Sequence, residues 1–257
     1  MGEKYGKTGE NVSPDDIQDL VAKAFVLEAI TDKPRCTTRF TDLPGKPLQD
    51  FVVAGINSAR YFRTFADEFR ADSTTPLFRY HAEALLGSNA HKSSKYINFG
   101  LLEIMFPVVA ARLVTDDPTQ VIDEVIRLTK ESGKADVEHM LKAREVAWST
   151  SSKAHKQEFP AALYADAANV WDFYMRVNAD SEPATSNFQW TEQYRLGLPV
   201  LRAFFEAYMQ RNEILEATRD VFAEQREANP EIPVGILADM CAAAIFLWLS
   251  FSELPVT

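Results

Sequence analysis

A chain of 257 residues with 46% apolar and 25% charged residues is ordinary in composition and long enough to bury a sizeable core. Its formal net charge of −10 argues against general nucleic-acid binding, which rests on counterion release by basic surfaces. Cys36 and Cys241 are the only cysteines, which excludes a disulfide framework or a thiolate metal site. Residues 1–12 are polar, are expected to be flexible, and hold no apolar segment of signal-peptide type. A reducing cytoplasm is the expected compartment.

In chain order, almost every periodic segment reads as helix. Ser13 is a good N-cap, Pro14 suits the first helical position, and Asp15 and Asp16 favour the positive end of the helix dipole. Ile17, Leu20, Val21, Ala24 and Phe25 then follow at helical spacing, and Pro34 should stop this helix near Asp32 or Lys33. A second helix is expected over residues 47–70, with Phe51, Gly55, Ile56, Ala59, Phe62 and Phe65 on its inner face. Further helices are expected over 75–88, 93–113, 118–131, 135–149, 158–178, 189–211, 213–227 and 231–252. Asp116-Asp117-Pro118-Thr119 and Ser186-Asn187 read as helix starts, and residues 179–185 as an exposed loop. The segment 234–251 is apolar enough to suggest a membrane span, but it carries Asp239 and reads better as a buried helix closing a bundle. Alternating strand patterns are scarce. The expected architecture is one all-α domain over 1–257, built from about nine or ten helices packed ridge into groove.

Several standard constellations are missing. The histidines His81, His91, His139 and His155 form no His-x-x-x-His or Glu-x-x-His pair, and no P-loop or Gly-x-Gly-x-x-Gly occurs. With ten glycines in the chain, phosphate would be held by side chains and helix N-termini. The segment Lys33-Pro34-Arg35-Cys36-Thr37-Thr38-Arg39-Phe40-Thr41-Asp42-Leu43 supplies cations and hydroxyls directly after an apolar helix. Its bland reading is a solvated connection. Glu28, within the apolar residues 25–30, and Glu83, after His81-Ala82, are either tilted to solvent or held for a task. Glu103 lies in the most apolar central helix and must be paired or line a polar cleft, because an unpaired buried carboxylate is costly. Residues 87–100, with Lys92, Lys95 and Asn98, form either a capped surface turn or a second anion-binding segment.

The order of these segments resembles the triphosphoribosyl-dephospho-CoA synthase family, nearer its shorter archaeal and methylotroph members. The likeness is carried by Glu28 through Lys33-Pro34-Arg35, by Phe40-Thr41-Asp42-Leu43, and by Leu48-Gln49-Asp50-Phe51. It continues through Ala82-Glu83, Asn98-Phe99-Gly100 with its apolar helix, and Gly197-Leu198-Pro199. Two positions depart from the family pattern: Arg35 replaces the glycine of Lys-Pro-Gly, and Tyr96 stands where the first Asn of Asn-Thr-Asn-Leu-Gly would fall.

The resemblance implies an all-helical fold and transfer of a triphosphoribosyl group from ATP to the ribose 2′-hydroxyl of dephospho-CoA, with adenine released. Such substitution at an anomeric carbon needs a carboxylate, a donor toward the leaving base and counter-charges for phosphate. Glu28, Asp42 and Glu83 are the implied catalytic residues, and Lys33, Arg35, Arg39, Lys95 and Asn98 the implied substrate ligands. Mg²⁺ is expected with the nucleoside triphosphate, held by Glu28, Glu83 and Asn98. A small-molecule acceptor is the expected partner, with no nucleic acid and no membrane, and a homodimer is the base-rate assembly. The alternatives are a related transferase of one-carbon coenzyme biosynthesis, a non-catalytic nucleotide-binding protein, and a helical interaction protein without a ligand.

Overall fold

The computed structural model describes residues 12–89, 98–150, 161–211 and 213–252, without the side chains of Asn89 and residues 148–150. These hold eleven α-helices and no strand, against the nine or ten helices expected. They are α1 (Pro14–Ile30), α2 (Leu48–Ala71), α3 (His81–Asn89), α4 (Phe99–Val114), α5 (Val121–Glu131) and α6 (Lys134–Thr150). The second half comprises α7 (Val170–Asp180), α8 (Ser186–Arg195), α9 (Pro199–Arg211), α10 (Ile214–Ala228) and α11 (Val234–Phe251). The flexible terminus expected at 1–12 lies, except for Val12, outside the described residues.

Local chemistry accounts for the boundaries. Ser13 accepts from Asp16 N at 3.1 Å and Asp16 returns a bond to Ser13 N at 3.0 Å, a complete capping box before Pro14. Asp42, from the preceding loop, accepts from Leu48 N at 2.7 Å and so satisfies the first free donor of α2. The expected helix 189–211 is two helices. Gly197 N donates to Tyr194 O and Leu198 N to Gln193 O, a Schellman ending with Gly197 at φ 81° and Leu198 at φ 58°. Pro199 then starts α9. Asn169 caps α7, accepting from Asp172 N, so the helix expected from 158 begins at Val170. Thr185, one residue before the expected Ser186, caps α8.

The helices share one connected apolar core. Helix α11 lies at its centre against α1, α4 and α9, and α1 also packs along α2. Gly55 of α2 permits that last contact, because a Cβ there would lie 2.6 Å from Cβ of Phe25. Phe62 stacks on Phe106 with ring centroids 4.3 Å apart, tying α2 to α4. Helix α11 is long and apolar enough to cross a membrane, yet 61% of that span is buried inside the fold.

Candidate functional site

Helix α1 ends where Thr31 becomes extended, and the chain turns back on itself. Lys33 then reaches into the fold and caps the helix it has just left. Its ammonium donates to the main-chain carbonyls of Glu28 and Thr31, and stands 3.1 Å from Glu28 Oε1. The last carbonyls of a helix lack intrahelical donors and carry the negative end of its dipole, so a cation suits this position. Lys33 is 2% exposed and Glu28 8%. Burial disfavours the ammonium, but Glu28, helped by Cys241 and Cys36, outweighs it and holds the lysine pKa above its ordinary value.

Both cysteines border this pair. Burial, with the Glu28 carboxylate nearby, pushes the Cys36 thiol up to about 12. Burial likewise pushes Cys241, on α11, up to about 12. The Tyr208 hydroxyl lies 2.7 Å from Thr218 Oγ1 and 3.3 Å from Cys241 Sγ, so the floor beneath Lys33 is a closed polar chain.

The second polar centre is built on α4. Glu103 is 1% exposed and is paired, as its apolar surroundings required. Arg144 Nη2 of α6 donates to its two oxygens at 3.1 and 3.2 Å. Tyr174 Oη donates to Oε1 at 2.9 Å and Trp190 Nε1 at 2.8 Å. The Arg144 guanidinium also faces the rings of Phe99 and Phe173 at 5.3 and 5.4 Å. Pro107, four residues on, lies inside α4 and has no N–H to give the Glu103 carbonyl. Beside it His81 is wholly buried; burial, then the Arg144 charge, lower its pKa to about 3 against a weaker opposing effect of the Phe99 main chain.

Asp239 joins the two centres. Its half-buried carboxyl lies at the N-terminus of α4, where a Cβ on Gly100 would come within 2.2 Å of Oδ2. Burial first, then the nearby Glu28 and Glu103 charges, hold the Asp239 pKa well above the usual carboxylate range, against Lys46 and the Leu101 N–H. Each of those two charges is itself held in an ion pair, Glu28 with Lys33 and Glu103 with Arg144. In the sequence Asp239 shows only as a charge interrupting an apolar helix. That interruption was the available signal.

The other expected residues divide among several places. Arg35 and Arg39 are exposed on the loop after α1, and Arg35 has φ 64°. Asp42 is exposed and occupied as the α2 cap. Glu83 of α3 pairs with Lys142 of α6 at 3.1 Å. Asn98 begins α4 at φ 71° without a side-chain capping bond. Lys95, Tyr96 and Lys92 lie outside the described residues. The structure therefore joins Glu28 to Lys33, and sets Arg35, Arg39 and Asp42 on one loop. Among the described residues no three His, Cys, Asp or Glu side chains converge on a cation position. No protein-family model, curated protein or solved structure matches this chain.

Proposed function

We propose that this chain is a transferase that moves a phosphorylated ribosyl group from a nucleoside triphosphate, ATP, to an acceptor hydroxyl such as the ribose 2′-hydroxyl of dephospho-CoA. The observation that carries the reading is the backbone of Arg35. At φ 64° it adopts the left-handed conformation that favours glycine, at the position where the Lys-Pro-Gly turn of the resembled family has its glycine. A glycine would suit this backbone, which directly follows the Glu28–Lys33 pair.

In the proposed reaction the bond from C1′ to the base breaks and a bond from the acceptor oxygen to C1′ forms. The hydroxyl proton passes to solvent water and the departing base gains one. Asp239, whose burial favours its protonated form, is the proposed donor to the departing base. Glu28, now paired with Lys33, is the proposed carboxylate that stabilises the positive charge developing on the ribose. Mg²⁺ enters on the triphosphate as part of the substrate. The described side chains form no ready cation site, so no step is assigned to the metal.

A second reading is a non-catalytic nucleotide-binding protein. It is favoured by the engagement of two buried carboxylates, Glu28 by Lys33 and Glu103 by Arg144. Incubation with ATP, Mg²⁺ and dephospho-CoA, read as free adenine, separates the two. The transferase releases adenine, loses that activity in Glu28→Gln, and is slowed in Asp239→Asn. Nucleotide binding without adenine, repeated with pterin-type acceptors and GTP, would establish the second reading instead.

A further inference from the structure

Residues 34–46 of the loop between α1 and α2 carry Arg35, Arg39 and Lys46 against one exposed carboxylate, Asp42. Among the described residues every arginine except Arg35 and Arg39 donates to a carboxylate, a carbonyl or a hydroxyl. Lys46, at the far end of the loop, is also exposed and forms no ion pair. In a chain of net charge −10, three cations against the single carboxylate Asp42 on residues 34–46 give this segment the opposite sign.

The same loop displays an aromatic face. Phe40 is 68% exposed, more than any other large apolar side chain described. The Arg39 guanidinium lies 4.6 Å from its ring centroid. Arginine on one face leaves the other free for a planar base, and base–aromatic stacking tolerates any base.

The platform is held rigidly from behind. Thr37 and Thr38 are buried, and Thr37 Oγ1 donates to Lys46 O at 2.6 Å and accepts from Leu43 N at 3.2 Å. Thr38 and Thr41 exchange main-chain bonds, and Phe40 N donates to Thr38 Oγ1 at 3.2 Å.

Building on the nucleotide reading above, we infer that the outer face of residues 34–46 binds the purine and polyphosphate of a nucleotide. Phe40 stacks on the base, while Arg35, Arg39 and Lys46 receive phosphate oxygens. Lys33, buried against Glu28, takes no part in it. A small nucleotide is favoured over a nucleic acid because three cations on an acidic protein cannot follow a polyanion.

The test is equilibrium titration of the full chain with ATP, dephospho-CoA and inorganic tripolyphosphate. Phe40→Ala should weaken whichever adenine compound occupies the loop about tenfold and leave tripolyphosphate binding unchanged, and Phe40→Trp should restore the affinity. Arg35→Gly combined with Arg39→Ala should weaken ATP and tripolyphosphate alike. The compound whose affinity falls identifies the source of the base. Equal affinities in Phe40→Ala and wild type, no binding of any of the three probes, or tighter binding of a single-stranded oligonucleotide than of ATP would overturn the inference. Adenine release judges the transferase reading separately. Nucleotide bound through Phe40 without adenine release sinks the transferase alone, and full release by Phe40→Ala sinks the loop site alone.

Discussion

Arg144 Nη2 stands 3.1 and 3.2 Å from the two carboxylate oxygens of Glu103, with 5% and 1% of the two side chains reaching water. Removing one partner leaves the other charged and buried. Arg144→Met is therefore expected to lower stability by about 3–5 kcal/mol, and Glu103→Leu in the same chain to recover part of it, since Tyr174 and Trp190 then lose their acceptor. Urea unfolding of the two single variants and the double checks this. Additive losses would show that the pair does not act as a unit.

His81 gives the fold a definable acid sensitivity. Its pKa falls from 6.5 to about 3 because of burial and the neighbouring Arg144 charge. Between those values the unfolded chain binds a proton that the folded chain refuses. The contribution is fully present above pH 6.5 and is lost as pH falls toward 3, at most about 1.4 kcal/mol per pH unit. Phe78, Phe99 and Phe106 surround the ring, so His81→Phe should keep the packing and remove this slope. Unfolding midpoints between pH 7.5 and 4.5 decide it; parallel profiles for wild type and variant would contradict the assignment.

Gly100 and Asp239 occupy space that a methyl group cannot share. A Cβ at position 100 would meet Asp239 Oδ2 at 2.2 Å and Trp190 Cζ3 at 3.2 Å. Gly100→Ala should displace the Asp239 carboxyl from the α4 N-terminus and cost about 1–2 kcal/mol. In a Gly100→Ala background, Asp239→Ala should then cost little more. A double-mutant cycle with no coupling between the positions would count against this contact.

Arg35 holds a glycine conformation without being glycine. A left-handed backbone costs a non-glycine residue roughly 1–2 kcal/mol, offset in part by the extra freedom glycine has when unfolded. Arg35→Gly is expected to raise the urea midpoint slightly, while Arg35→Val, β-branched at φ 64°, should lower it clearly. A lower midpoint for the glycine variant would mean that the arginine side chain stabilises the loop by contacts beyond its backbone.

Much of the helical plan was legible because its signals are local. The Ser13–Asp16 capping box, Pro14 and the apolar spacing through Phe25 act within a few residues, and α1 lies where they put it. The division at Gly197 was harder to read. Gly197-Leu198-Pro199 was visible as a turn, but the apolar pattern runs through it, and the Schellman bonds that end α8 depend on Leu198 entering the core. Glu103 was legible as a carboxylate needing a partner. Its partners were not, because Arg144, Tyr174 and Trp190 come from three other helices.

The polar centre divides in the same way. Composition and periodicity by themselves determined an all-helical chain with an apolar central helix and a cationic loop after α1, since each follows from neighbours in sequence. Tertiary packing decided which charges face outward. It turned Lys33 inward onto Glu28, left Arg35 and Arg39 exposed, and brought Asp239 of α11 against Gly100 of α4. The energy of a charge depends on the dielectric and the partners around it, and those are supplied by segments far away in the chain.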